Sequence, residues 1–381
     1  MKEDIKPLRI LLLFTVMNRG GAESMVMNYY RNIDRTKIQF DFMVHRIEKG
    51  AFDDEIESLG GHIYRMCPVY PQNFFKYKRL LREFFNKHTG YKIIHSHMSE
   101  LGYFAFKEAE KRNIPVRICH AHNTPVFSLM GWKERIKGIA RWFFKKNIKQ
   151  FSTHLFTCSI DSGKWLYGKE NIDRLIVMKN AVYANSMKFN VVVRALLRKE
   201  LNIENNFVIG NIGRFNEQKN HSFLIDVFYE IQKRKENSIL LLVGEGKLKP
   251  DIEKKVKQSG LEKKVFFLGV REDVNELIQI MDAFVLPSLF EGLAMVLIEA
   301  QASGLKCFTS KDLVTTEAKV TDLLEYIPLN AKPEVWAQKI LDFDYEKKRE
   351  DKYNEIVDKK WDIHSNVEWL TDFYLNCNRR I

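Results

Sequence analysis

The sequence lacks the features that mark secreted, disulfide-bonded or membrane-spanning proteins. Its five cysteines are scattered without CxxC spacing, and their odd number favours free thiols in a reducing compartment. No apolar run approaches the roughly 18 residues of a membrane-spanning helix. No small-residue cleavage site follows the short apolar run before Asn18, so we expect a buried first strand here and not a signal peptide.

Low-complexity segments and solenoid repeats are also missing, and a chain of 381 residues is long enough for two domains with separate cores. Short apolar runs alternate with amphipathic helical patterns in both halves. This alternation predicts parallel sheets covered on both faces by helices. The strand-like runs include Arg9–Val16, Phe40–Val44, Lys92–His95, Val116–His120 and Leu155–Cys158, then Phe207–Ile212, Ser238–Val243, Lys264–Leu268, Ala283–Leu286 and Lys306–Thr309.

The pattern lapses near residues 180–190 and restarts with FVIGNIGRF. We therefore expect an α/β protein of two Rossmann-like, doubly wound domains that face each other across a cleft. The expected domains are residues 1–186 and 187–360, and residues 361–381 are expected to form a helix that packs back on the first domain. In such sheets ligands bind at the carboxyl ends of the strands.

Two loops at predicted strand ends have the composition of phosphate-binding loops. The first strand leads into Gly20 and Gly21 at the start of a helix, where free N–H groups suit a phosphate. In the second domain a strand leads into Gly213, Arg214 and Lys219, and the two cations of that loop could meet one diphosphate. A structural tight turn and a solvated basic turn are the simpler interpretations of these loops when each is taken alone.

Four histidines form two HxH pairs at predicted strand ends, His95 with His97 and His120 with His122. A zinc site, histidines hydrogen-bonded at strand ends, and contact with a substrate are three interpretations of such pairs. We expect no metal, because no carboxylate stands beside either pair and no nearby cysteine has ligand spacing.

The stretch SLFEGLAMVLIEAQASG carries two acids, Glu291 and Glu299, on either side of a run that is apolar except for Gly292. Glu291 follows a predicted strand, and the N–H groups of Leu293 and Ala294 are expected to be free where the next helix begins. Ionised carboxylates accept hydrogen bonds from vicinal hydroxyls, so a sugar or a ribose is a suitable ligand. A capping glutamate and an unrelated helix glutamate are the alternative.

Together, Gly20-Gly21-Ala22-Glu23, Gly213-Arg214 with Lys219, and Glu291-x7-Glu299 resemble the retaining glycosyltransferases of family 4, which have the GT-B fold. The resemblance runs from about residue 8 to about 330 and is closest to bacterial enzymes of capsular and exopolysaccharide synthesis. Ala294 and Lys306 stand where the family often has proline, and Asn180-Ala181-Val182-Tyr183 departs from the usual linker motif.

The resemblance implies a role for each matching residue. Arg214 and Lys219 would bind the donor diphosphate, Glu291 with the backbone at 292–295 the transferred sugar, and Glu299 the nucleotide ribose. The Gly20–Gly21 loop would close over the donor phosphates and the acceptor, and either His120 or His122 would face the donor sugar. The resemblance also implies retention of anomeric configuration, a UDP-sugar as the commonest donor, and no cofactor or metal.

The net positive charge of the chain comes entirely from its first half. Residues 1–180 hold 31 Lys/Arg and 18 Asp/Glu, a net +13, whereas the remainder holds 30 and 31. Two basic, aromatic-rich stretches, 74–88 and 132–151, suggest helices that lie on an anionic membrane surface. We therefore expect a cytoplasmic enzyme at the inner face of the cell membrane that takes a lipid-linked or glycan acceptor, although core helices with a solvated basic face would have the same composition.

Two other functions are compatible with parts of the sequence. A sugar-nucleotide epimerase shares the two-domain architecture but needs further acids and histidines for proton transfer. A basic scaffold for nucleic acid would explain the charge of the first half and would leave Glu291 and Glu299 without a purpose. We therefore expect a nucleotide-sugar partner and no nucleic acid.

Overall fold

A computed structural model describes the backbone of residues 6–122, 131–291 and 293–379; the side chains at 131–137, 139 and 140 lie outside this description. The chain forms two compact units, Met1–Ala181 together with Ile363–Ile381, and Val182–Asp362. The expected boundary after residue 186 thus falls after residue 181, and the final helix begins at Ile363 where 361 was expected.

The first unit alternates strands and helices along the chain. Its elements are β1 (Leu8–Phe14), α1 (Gly21–Asn32), β2 (Ile38–Val44), α2 (Asp53–Ser58), β3 (Ile63–Arg65), α3 (Phe74–Lys87), β4 (Ile93–Ser96), α4 (Tyr103–Lys111), β5 (Val116–Ala121), α5 (Gly131–Phe151), β6 (His154–Thr157), α6 (Ile160–Tyr167) and β7 (Leu175–Val177). Short 3-10 helices cover Pro71–Asn73, Ser99–Gly102 and Lys169–Arg174.

The strands of the first unit form a parallel sheet in the order β3-β2-β1-β4-β5-β6-β7. Strand β1 is central and pairs with both β2 and β4. Its sequence LRILLLF is almost uniformly apolar because helices cover the sheet on both faces. The strand order reverses between β1 and β4, and a crevice for ligands forms at such a reversal.

The second unit repeats this pattern. Its elements are α7 (Ala184–Met187), α8 (Val191–Glu200), β8 (Phe207–Ile212), α9 (His221–Arg234), β9 (Ser238–Val243), α10 (Lys249–Gln258), β10 (Val265–Phe267), α11 (Val274–Ile280), β11 (Ala283–Leu286), α12 (Met295–Ala302), β12 (Lys306–Ser310), β13 (Leu324–Ile327), α13 (Pro333–Leu341) and α14 (Tyr353–Asp358), with 3-10 turns at Glu217–Lys219 and Thr316–Ala318.

The second sheet is also parallel, in the order β10-β9-β8-β11-β12-β13. Strands β9 and β11 are fully buried, as their sequences SILLLV and AFVL predict. The order reverses between β8 and β11, which lie side by side. The loops that follow these two strands, 213–219 and 287–291, therefore leave the same edge of the sheet. The predicted α/β class with doubly wound parallel sheets is confirmed.

The last helix, α15 (Ile363–Arg379), belongs to the first unit. The hydroxyl Oη of Tyr374 lies 2.7 Å from Nδ1 of His95 on β4, and the Tyr374 ring is buried. Phe373 and Trp369 pack against Phe156 on β6. These contacts fix the C-terminal helix to the sheet of the first unit.

Within the described residues, no helix combines the length and the apolar composition needed to cross a lipid bilayer.

Replacing Tyr374 with Phe should destabilise the first unit, because it leaves the buried Nδ1 of His95 without its partner. Loss of one partner of a buried hydrogen bond costs about 1–3 kcal/mol. The free energy of unfolding, measured by urea titration, should fall by that amount. The matched control is Tyr70→Phe, which removes an exposed hydroxyl that accepts a bond from Arg46 and should change stability little. Equal stability of the Tyr374 variant and the wild type would contradict the assignment.

Candidate active site

The loop after β8 places a lysine directly over the end of the strand. Residues Glu217–Lys219 form one 3-10 turn, and the side chain of Asn216 caps it by accepting a bond from the Lys219 N–H at 3.2 Å. The Lys219 side chain then lies along Gly213, where an added Cβ would come within 3.1 Å of Lys219 Cε. A glycine at 213 therefore leaves room for Lys219 to reach back over the sheet.

Glu291, in the loop after β11, is the partner of that lysine. Its carboxylate accepts a hydrogen bond from Lys219 Nζ at 2.6 Å and one from Ser288 Oγ at 2.7 Å, both on Oε1. Gln218 Nε2 donates to the second oxygen, Oε2, at 3.1 Å. The side chains of Lys219 and Glu291 are 16% and 7% exposed, so this ion pair is largely shielded from water.

Backbone contacts hold the two loops together. The N–H of Leu289 donates to the carbonyl of Gln218 at 2.8 Å, and Gln218 Nε2 donates to the carbonyl of Phe290 at 3.0 Å. On its other side Glu291 pairs with the segment after β12, because its N–H donates to the carbonyl of Leu313 at 2.8 Å. The Glu291 backbone is thus fixed from two directions, and its carboxylate has one defined position.

Arg214 belongs to the same loop as Lys219, and its side chain is exposed. No ion pair to Arg214 occurs among the described residues. The loop after β9 packs closely against the backbone here. Gly244 in that loop has a φ of +133°, and a Cβ added to it would lie 2.2 Å from the carbonyl oxygen of Gly213. Only glycine fits at 244. Arg214 therefore offers a free cation on a rigid loop.

Helix α12 carries the second acid of the motif. It begins at Met295, and its N-cap residue, Ala294, makes no side-chain hydrogen bond. The N–H groups at Leu293 and Ala294 have no acceptor within the described part of the chain, so this helix start can receive an anion or a hydroxyl. Gly292, which was expected to contribute here, lies outside the described residues.

Glu299 is in the middle of α12, and burial raises the pKa of its carboxyl group to about 7. Neither a hydrogen bond nor an ion pair reaches this carboxyl group from any described side chain. A half-buried acid without a partner is costly, and a ligand with hydroxyl groups would supply the missing donors. Where its strand order reverses, the second unit therefore presents cations together with carboxyl groups that can accept hydrogen bonds from the hydroxyl groups of a ligand.

The histidines of the first unit form a stack at the equivalent edge of its sheet. His95 and His97 have ring centroids 4.3 Å apart, and His120 and His122 have theirs 4.2 Å apart. Hydrogen bonds connect the two strands, from His95 Nε2 to His120 Nδ1 at 3.2 Å and from His97 Nδ1 to His122 Nε2 at 2.9 Å. The other ring nitrogen of His95, Nδ1, is hydrogen-bonded to Tyr374. Tyr374, His95 and His120 thus form a hydrogen-bonded chain that ends at His120 Nε2, which is buried and has no partner in the described structure.

Burial holds all four histidines neutral. It lowers the pKa of His122 to about 4 and places the pKa values of His95, His97 and His120 well below the usual 6.5. His95, His97 and His120 have ring nitrogens within 4.8 Å of one another, which makes them the one group of metal-ligating side chains found among the described residues. Two of these nitrogens are hydrogen-bonded to each other, and the rings are stacked instead of converging on a common point.

His120 and His122 differ in access to solvent. His120 is fully buried, whereas His122 keeps a partly exposed surface. The glycine loop lies at the same edge, because Gly20 is the N-cap of α1 and Gly21 its first residue. Gly21 is exposed and an added Cβ there would meet no atom within 4 Å, so the loop has open space above it.

Three of these residues were missing from the sequence-based set. Gln218 and Ser288 orient Glu291. Both are close in the sequence to predicted site residues, Gln218 to Lys219 and Ser288 to Glu291, and this proximity could have indicated them. Tyr374 orients His95 from 279 positions away along the chain, and no local pattern indicates that contact. The roles expected for the predicted site residues stay predictions.

Comparison with known proteins identifies the family. The sequence model described as "Glycosyltransferase Family 4" matches residues 19–184, and that described as "Glycosyl transferases group 1" matches residues 193–356. The chain is 34% identical over 335 residues to the "Putative glycosyltransferase EpsF" of Bacillus subtilis (strain 168), which covers 87% of this chain and 86% of the relative.

Further similarities extend over almost the whole chain. The "Capsular polysaccharide biosynthesis glycosyltransferase CapH" of Staphylococcus aureus is 24% identical over 375 residues, or 97% of this chain and 99% of the relative. Among solved structures, Anabaena Alr3699/HepE in complex with UDP-glucose has a TM-score of 0.63 at 19% identity and covers 98% of this chain and 97% of its own. The chain therefore belongs to glycosyltransferase family 4, and it is a glycosyltransferase with the GT-B fold.

Proposed function

We propose that this glycosyltransferase transfers a sugar, with retention of anomeric configuration, from a UDP-sugar to a lipid-linked or glycan acceptor in bacterial surface polysaccharide synthesis. The observation that carries the proposal is the shielded pair of Lys219 and Glu291 at the reversal of the second sheet. The unpaired Arg214 and Glu299 stand on the elements that flank this pair. The two cations suit the diphosphate of a nucleotide-sugar, and the two carboxyl groups suit its hydroxyl groups.

Arg214 and Lys219 are proposed to hold the donor diphosphate. An ammonium group has three donors, and Glu291 uses one of those on Lys219, which leaves two for phosphate oxygens. Arg214 adds a planar fork that matches phosphate geometry. As the bond from sugar to diphosphate breaks, negative charge grows on the leaving group, and these fixed cations stabilise it without rearranging. The same cations make a metal ion unnecessary, so activity should persist in EDTA.

Glu291 is proposed to bind hydroxyls of the transferred sugar, together with the backbone N–H groups of Gly292, Leu293 and Ala294. Because Ser288, Gln218 and Lys219 already fix its carboxylate, the sugar meets an acceptor in one orientation. Glu299 is proposed to receive the ribose hydroxyls, which would satisfy its unpaired carboxyl group.

The first unit is proposed to supply the Gly20–Gly21 loop and a histidine. Of His120 and His122, His122 is the better candidate to face the donor sugar, because it alone of the two retains exposed surface. Its pKa of about 4 keeps it neutral at physiological pH. A neutral imidazole offers one donor and one acceptor to a sugar hydroxyl and adds no positive charge near a developing oxocarbenium ion.

The choice of donor and pathway rests on the relatives. HepE binds UDP-glucose, and CapH is a glycosyltransferase of capsular polysaccharide biosynthesis. The epimerase alternative is not favoured, and an assay of donor turnover would separate it, since an epimerase yields a 2-epimer and a transferase yields a glycoside.

Glu291→Gln should lower the rate of sugar transfer from UDP-sugar by about 100-fold or more, because it weakens an acceptor that acts on the reacting sugar. Initial rates with a UDP-sugar panel and polyprenyl-linked acceptors measure the effect. Glu325→Gln is the matched control, an acid of the same unit paired with Lys306 and Lys339, and it should retain activity within twofold. Full activity of a folded Glu291 variant would contradict the assignment.

Donor binding should release protons near neutral pH. In the free protein the Glu299 carboxyl, with a pKa of about 7, is about half protonated at pH 7. Hydrogen bonds from ribose hydroxyls favour its ionised form and lower that pKa, so binding should expel about half a proton. Titration calorimetry in phosphate buffer and in Tris buffer measures the number of protons released. The two buffers differ in their enthalpy of ionisation, so the difference in apparent binding enthalpy gives that number. Glu299→Gln should abolish the difference; a buffer dependence that survives this change would assign the proton elsewhere.

A membrane surface is proposed as the second partner of the enzyme. The basic stretches predicted for this contact form α3 and α5 of the first unit. Most apolar side chains of α3 are core residues (Tyr77, Leu81, Phe84 and Phe85), so its amphipathic pattern partly reflects folding. Its lysines and arginines are exposed, as Lys76, Lys78, Arg79 and Arg82 show, and they give this helix a cationic outer face.

The full-length protein should therefore float with vesicles that contain phosphatidylglycerol at low salt. Binding should weaken steeply as the salt concentration rises, because exposed charges are screened. Flotation in a sucrose gradient measures the bound fraction, and vesicles of phosphatidylcholine alone are the control. Absence of binding to anionic vesicles at low salt would remove the membrane from the proposal.

A further inference from the structure

Helices α3, α4 and α5 enclose a groove on the surface of the first unit, with a volume of about 620 Å³. Its floor is aromatic and is made by Phe74, Tyr103, Phe104, Phe143 and Phe144. Volumes of roughly 300–1,000 Å³ with mostly apolar lining are typical of small-molecule sites. No residue of the proposed donor site lines the groove, so it is separate from the proposed donor-binding groups.

The rim of the groove is cationic. Lys78, Arg82, Lys107 and Lys111 stand around the aromatic floor, and all four are exposed. The acid that lines the groove, Glu108, is neutralised by a hydrogen bond from Arg112, and Arg82 lies 4.0 Å from its other oxygen. The groove therefore has an uncompensated positive charge along its edge.

Two lysines show how charge and apolar surface are combined. Lys78 Nζ lies 4.9 Å from the ring centre of Phe104, and Lys107 Nζ lies 5.9 Å from that of Tyr103. Each ammonium group thus lies within cation–π range of a ring of the floor, so the charges of the rim stand next to the apolar surface. An occupant with an apolar chain and an anionic head would contact the aromatic floor and the cationic rim at once.

Large apolar side chains in the lining of the groove and next to it along the chain are exposed to solvent. Phe75 is 89% exposed, Trp142 61% and Phe143 47%. Phe143 and Trp142 belong to the stretch 132–151, which was predicted to lie on a membrane surface, whereas Phe144 and Ile148 of the same stretch are buried. Aromatic side chains next to lysines are typical of segments at the boundary between lipid headgroups and acyl chains.

We propose that this groove binds one anionic phospholipid of the membrane, with an acyl chain on the aromatic floor and the headgroup phosphate between Lys78, Lys107 and Lys111. The proposal deepens the membrane contact proposed above and rests on it. Charge complementarity favours a lipid over a second copy of this chain, because a second copy would bring the same cationic rim against the first. The site would anchor the first unit at a fixed depth and orientation.

The test uses full-length protein and dihexanoyl-phosphatidylglycerol below its critical micelle concentration, with binding followed by titration calorimetry. We expect saturable binding of one lipid per chain, and at least tenfold weaker binding of dihexanoyl-phosphatidylcholine. Phe143→Ser should weaken binding at least tenfold, whereas Tyr229→Ser, a helical aromatic of the second unit that is 41% exposed, should not.

A charge-reversal pair tests the rim. Lys78→Glu with Lys107→Glu should weaken binding at least tenfold, and Lys254→Glu with Lys257→Glu, two exposed lysines on α10, should leave it unchanged. These surface variants serve even if Phe143→Ser fails to fold. Donor turnover with a water-soluble acceptor should be equal in all folded variants, which separates a failure of the lipid site from a failure of the proposed function.

Several outcomes would overturn the assignment. Binding without saturation, or equal binding by both variant pairs, would mean that the contact is a diffuse surface effect. Dimerisation abolished by Phe143→Ser, seen by light scattering, would give the groove to a second copy. Displacement of the lipid by farnesyl diphosphate at tenfold lower concentration would give it to a prenyl-linked substrate.

Discussion

The ion pair between Lys219 and Glu291 is the contact on which the proposed donor site depends. Its two members come from loops that follow neighbouring strands, β8 and β11, at the reversal of the sheet order. The bond of 2.6 Å joins these loops, and Gln218 and Ser288 complete the shell around the carboxylate. The Glu291 side chain is only 7% exposed, and the Lys219 ammonium group beside it is its ion-pair partner.

Such a pair is kept for its geometry more than for stability. Desolvation of two charges offsets most of their attraction, and removal of one partner alone costs about 3–5 kcal/mol. Arg214 and Glu299 have no partner among the described side chains, and the proposed donor would complete their bonding. The first unit has a comparable arrangement, in which Tyr374 and the neutral histidine stack leave His122 with accessible surface.

Much of this could be predicted from the sequence, and the reasons are local. Runs such as LRILLLF and SILLLV fix buried parallel strands, and loops at their ends contain Gly213, Lys219 and Glu291. What escaped prediction depends on contacts between distant segments. The bond from Tyr374 to His95 spans 279 positions, and the hydrogen bond from Gln218 to Glu291 spans 73. Which aromatic of α5 faces solvent depends on helix rotation, and a stretch with both Phe143 and Phe144 leaves that choice open.

The central claim is that Lys219 and Glu291 bind the donor as one unit. A double-mutant cycle tests it most directly, with the affinity for UDP-glucose measured by titration calorimetry for Lys219→Met, Glu291→Gln and the double variant. The two losses should be strongly non-additive, with a coupling free energy of about 1 kcal/mol or more. Losses that add within about 0.3–0.5 kcal/mol, as for independent sites, would contradict the account.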